Sequence, residues 1–139
     1  MNRRIRTFSI VALLLAAAAC GGTTTAPATT TTQARTTDTF TGTVAVGGGD
    51  FHSFPIAAAG TVDVTLTAAA PPATIVMGLS IGIPGDGNCA AVASGSVQTP
   101  AGAAVQLSGV ASPGTLCVEV HDAGGQLAPV TYTVTVTHP

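Results

Sequence analysis

Tryptophan and lysine are both absent from this sequence; aromatic residues make up only 4% of its 139 positions and charged residues only 7%. Each scarcity excludes something. The four basic residues are all arginine, too few for a stripe that neutralises a phosphate backbone, which excludes nucleic acid as a partner. So little charge beside 46% apolar residues is the opposite of a charged disordered tail. So few rings leave a poor platform for a stacked sugar. A chain of this length holds one core, not two.

What is present begins with a leader. Arg3, Arg4 and Arg6 precede a twelve-residue apolar run, Phe8 to Ala19, broken only by Ser9. As a helix such a run rises about 18 Å, too short for a hydrocarbon core of about 30 Å, but right for the apolar region of a secretory signal peptide. It ends in Leu15-Ala16-Ala17-Ala18-Ala19-Cys20, followed by Gly21-Gly22. A basic start, a short apolar run and Ala-Cys-Gly in that order resemble a bacterial lipoprotein precursor. Ala17 stands where that family usually has leucine. The resemblance implies cleavage before Cys20, lipid on its thiol and new amine, and firm anchoring to a membrane of the bacterial cell envelope by more than one acyl chain. Gly21 and Gly22, with no Asp after Cys20, favour the outer membrane or cell surface over the inner membrane. Removing residues 1–19 leaves Arg35 as the only Lys or Arg against six carboxylates, so the side-chain balance moves from −2 to −5. An anionic membrane surface does not attract such a chain; the anchor has to be the lipid.

Residues 20–37 read as the lipidated cysteine and a linker. Nine of the seventeen residues in 21–37 are threonine and no apolar period runs through them, so nothing offsets the entropy of ordering. As a flexible coil the tract spans about 20–25 Å r.m.s..

From Asp38 to the end, short alternating runs sit between Gly/Pro turns. Strands are expected over Thr39–Val46, Phe51–Ala57, Thr61–Thr67, Thr74–Ile83, Cys89–Ala93, Ala103–Val110, Thr115–His121 and Val130–Thr137. Alternation turns Val62, Val64 and Leu66 inward, and likewise Val130, Tyr132, Val134 and Val136. The alanine triplets at 57–59 and 68–70 are cut off by Gly60 and Pro71 before a helix could hold. About eight strands and no helical period make residues 38–139 an all-β domain, a single antiparallel β-sandwich of jelly-roll-like form. Its core is valine-rich and aromatic-poor, so a staple would help. With Cys20 lipidated, an exported chain has one internal pairing left, Cys89 with Cys117. Cys117 has the parity of Glu119, opposite Val118 and Val120, which puts the bridge off the main core. The alternative is two free thiols.

Four segments resemble the bacterial pre-peptidase C-terminal domain: Gly49-Asp50-Phe51-His52-Ser53-Phe54, Gly60 to Leu66, Pro113 to Val120, and Tyr132 to Val136. Leu116 and Cys117 replace the aromatics that the family usually has after Pro-Gly-Thr. The resemblance implies a jelly-roll-like, non-catalytic module of the kind appended to secreted peptidases, where it aids targeting or substrate contact.

Candidate chemistry is sparse. Gly78-Leu79-Ser80-Ile81-Gly82 matches G-x-S-x-G, which in a hydrolase sits on a sharp strand-to-helix turn. Here it lies inside an apolar run, so Ser80 reads as an ordinary strand residue. Glu119 and His121 share a strand face as two ligands of a metal that needs at least a third. Asp50, Asp86, Asn88 and Asp122 fall in glycine-rich turns and are the candidate calcium ligands. Phe51, of opposite parity to Phe54, is the ring that parity alone would expose, but a core or bulge position is the one expected. The function expected is that of a cell-envelope lipoprotein displaying a monomeric, non-catalytic sandwich with a structural or adhesive role. The alternative is a surface ligand-binding module for calcium, a glycan or a partner protein.

Overall fold

A computed structural model describes residues 33–139. The leader, Cys20 and most of the threonine tract lie outside the described residues. Eight strands follow one another: β1 (Thr36–Val44), β2 (Gly49–Ile56), β3 (Gly60–Ala70), β4 (Val76–Gly85), β5 (Asn88–Pro100), β6 (Leu107–Ala111), β7 (Gly114–Asp122) and β8 (Val130–His138). They form two four-stranded sheets, β1-β8-β3-β6 and β2-β7-β4-β5, with every neighbouring pair antiparallel. The pairs nest: β1 with β8, β2 with β7, β3 with β6, β4 with β5. That is the connectivity of one long hairpin rolled into a sandwich, a jelly roll.

Alternation positions the core as the sequence predicts. Val62, Val64 and Leu66 of β3 and Val130, Tyr132, Val134 and Val136 of β8 all point inward and are buried. They meet Phe54, Met77, Leu79, Val118 and Val120 from the second sheet. Pairing slips between Leu66 and Ala68, so parity inverts and Ala69, rather than Ala68, is buried. The β3–β6 ladder ends at Val64 and Leu107; beyond it the Leu66 carbonyl accepts from the Gly102 N–H at 2.9 Å, and Leu66 is also held by the side chain of Gln106. Its Oε1 accepts from the Leu66 N–H at 2.8 Å, and its Nε2 donates to the Leu66 carbonyl at 3.4 Å.

The strand ends shift by up to three residues from the expected spans, and by more in two strands. The fifth continues to Pro100 because its chain bulges and then resumes: Ala91 pairs with Gly82, and pairing restarts at Ser96 with Ser80. Ser94, at φ 60°, makes the bend just beyond the expected end at Ala93. The sixth begins only at Leu107, the partner of Val64; Gln106 before it donates its N–H to the Val64 carbonyl and bonds Leu66 with its side chain. The two lateral edges of the sandwich therefore differ. On one side β1 and β2 are joined by a short turn; on the other, five-residue β6 faces thirteen-residue β5.

Candidate functional site

The closed edge carries a polar seam. Tyr132 is 2% exposed, and its hydroxyl donates to Asp50 Oδ2 at 2.8 Å. With its one proton committed, the phenolic oxygen accepts from His52 Nε2 at 2.8 Å. Burial, and then the Asp50 carboxylate, push the Tyr132 hydroxyl far above the ordinary phenol range. Phe40 stacks on His52 with ring centroids 4.8 Å apart. A Cβ on Gly42 would collide with Asp50 and with the Tyr132 hydroxyl, so glycine there gives the network its room. The seam joins β1 and β8 of one sheet to β2 of the other, which makes it a strut.

The four calcium candidates do not come together. Asp50 belongs to this seam, inside β2 rather than in a turn. Asp122 ends β7, where its strand partner is Met77 at the start of β4. Asp86 and Asn88 flank the turn beyond Gly85, at the far end of β4. The Asp122 carboxylate is occupied by backbone donors: Gly47 N–H at 2.8 Å, Gly124 N–H at 2.7 Å and Gln126 N–H at 3.3 Å. These bonds, Gly47 foremost, hold its carboxyl below the usual range. Asp122 thus clamps the β1–β2 turn to the β7–β8 loop.

The remaining candidates lie on the outer face of the second sheet. Glu119 and His121 share that face as expected, over Gly49 and Gly78 respectively. Among the described residues no third His, Cys, Asp or Glu completes a metal site with them. Phe51 pairs with Glu119 and is half-buried. Ser80 is a buried strand residue whose Oγ accepts from Ser96 at 3.2 Å. The two glycines of its motif are packing sites: the His121 ring occupies the place of a Cβ on Gly78, and the Ala90 carbonyl that of one on Gly82.

The second of these explains the disulfide. Cys89 and Cys117 are bonded, with Cα atoms 5.8 Å apart, although β4 lies between their strands in the sheet. Bare Gly82, the partner of Cys117, lets the β5 backbone lean over β4 to reach β7. The bridge is buried yet stands outside the main core cluster, as the parity of Cys117 predicts.

The open edge carries the feature that the sequence hid. A hollow of about 330 Å³ runs between β6 and the facing sheet, with Ile81, Ile83, Val92 and Leu116 on one wall and Val62, Gly109 and Ala111 on the other. An adjoining hollow of about 250 Å³ continues past Ser94 and Gly95. No charged or aromatic side chain lines either. A Cβ on Gly109 would meet nothing within 4 Å, so this glycine borders real space. Ile83 and Val110 at the mouth are 58% and 86% exposed. The wall residues sit in inward register but lack a roof, because β6 is short. Register says which way a residue points; only the length of the facing strand says whether it is covered.

No protein-family model matches the chain, and no curated protein matches it.

Proposed function

We propose that the chain is a bacterial cell-envelope lipoprotein, held in the outer membrane or at the cell surface by lipid on Cys20, that displays a non-catalytic β-sandwich in a structural or adhesive role. The observation that carries the reading is the bridge between Cys89 and Cys117. Bridges of this kind persist in oxidising compartments. It also leaves Cys20, placed after a basic and apolar leader, as the only cysteine outside the bridge. The threonine tract then serves as tether, and Arg35 marks where the tether meets the domain. Its Nη2 donates to Asp63 at 2.7 Å and to the carbonyls of Thr61 and Thr137. Detergent-phase partitioning tests the anchor. Wild type is expected in the detergent phase and Cys20→Ala in the aqueous phase; equal aqueous partitioning of both overturns the reading.

The binding-module alternative is supported in one of its forms. The uncharged lining and open hollow of the open edge favour an apolar protein surface as partner over calcium or a glycan.

A further inference from the structure

We infer that β6 is a self-association edge: two copies of this chain pair their β6 strands antiparallel about Gly109, joining two four-stranded sheets into one of eight. The inference begins with the four edge strands. β2 carries Pro55, β5 is broken by its bulge and ends in Pro100, and β1 carries Asp38, which His138 Nε2 meets at 3.1 Å. Proline, bulges, charge and short length are the usual means of blocking an edge. β6 is short, at five residues, but has none of the other three; it reads Leu107-Ser108-Gly109-Val110-Ala111.

That sequence is also compatible with itself. A two-fold axis at Gly109 sets Leu107 opposite Ala111 and Ser108 opposite Val110, with no like charges opposed. The carboxylate next to the axis is Asp63, the strand partner of Ser108. It is already neutralised by Arg35 at 2.7 Å and accepts from the Ser108 hydroxyl at 2.6 Å. Arg35 is the only Lys or Arg among the described residues, and it stands where an unpaired carboxylate would repel a second copy. Pairing brings Val110, 86% exposed in one copy, against Ser108 of the mate, and lays the mate's strand along the unroofed hollow beside Gly109. A second copy is therefore the occupant that matches both the free edge and the uncharged groove.

The inference is independent of the lipid anchor, and its test removes the anchor. Sedimentation equilibrium of the mature chain carrying Cys20→Ala, from micromolar to millimolar concentration, is expected to show a monomer–dimer equilibrium. Adding Val110→Lys is expected to leave a monomer with unchanged Tm, because that side chain is exposed and the two lysines would stand as diagonal neighbours across the axis. Adding Gly109→Cys instead is expected to give a covalent dimer on oxidation, since the two introduced thiols face one another across the pairing. A wild-type monomer at every concentration overturns the inference. So does a dimer that survives Val110→Lys and is not cross-linked by Gly109→Cys, because it uses another face.

Discussion

The hydroxyl of Tyr132 has one proton and two partners, and that arithmetic fixes the seam. Asp50 takes the proton and His52 supplies the second bond. Tyr132→Phe keeps the ring and removes both bonds. His52 and Asp50 are each partly exposed, with side chains 28% and 36% accessible, so water can replace the lost partner. The expected cost is therefore near the lower end for a hydrogen bond, about 1 kcal/mol, read as a lower midpoint in chemical denaturation. A loss above about 3 kcal/mol would mean that the edge has opened. Parity in the final strand is enough to bury Tyr132. It is not enough to find its partners, which lie 80 and 82 residues away on the opposite sheet. Asp50 beside a run of glycines looks like a turn residue for the same reason: its role depends on a strand that comes last in the chain.

Elements differ in how much of their form is local. β3 and β8 are readable because strict alternation continues over many residues. β5 is not, since Ser94 and Gly95 carry turn chemistry inside a strand that resumes on its old partner. Glycines show the same divide. Gly82 and Gly109 look alike in sequence, yet one is pressed by the Ala90 carbonyl and the other borders empty space. Gly82→Ala is expected to destabilise by about 1–3 kcal/mol, as overpacking does, and to slow formation of the Cys89–Cys117 bridge by holding β5 away from β7. Gly109→Ala is expected to be neutral or to stabilise by up to about 1 kcal/mol, because alanine restricts the unfolded chain and fills no occupied site. Paired denaturation curves and non-reducing electrophoresis of the two variants separate these cases; equal destabilisation would contradict the packing described around Gly82.

For the whole molecule, stability has to come from a core of valines and small residues, with Phe54 and Tyr132 the only buried Phe or Tyr rings among the described residues. Two global devices reinforce it. The disulfide closes a loop of 28 residues, worth roughly 3–4 kcal/mol in the chain-entropy model, so Cys89→Ser with Cys117→Ser is expected to lose about that much. The second device is electrostatic and responds to acid. Asp122 is held below the usual carboxylate range chiefly by the Gly47 N–H, and Asp63 by the Ser108 hydroxyl first and Arg35 second. A carboxyl whose folded value is depressed adds stability that is complete above its unfolded value, about 3.9, and disappears as pH falls through the folded value. Asp122 ties the β1–β2 turn to the β7–β8 loop, so its protonation releases two connections at once. Tm is therefore expected to fall on acidification below about pH 4. Asp122→Asn does not titrate, so its deficit against wild type should be full near neutrality and shrink as the pH drops. A deficit that stays constant across the acid range would show that the Asp122 charge plays no part in the clamp, leaving only its shape.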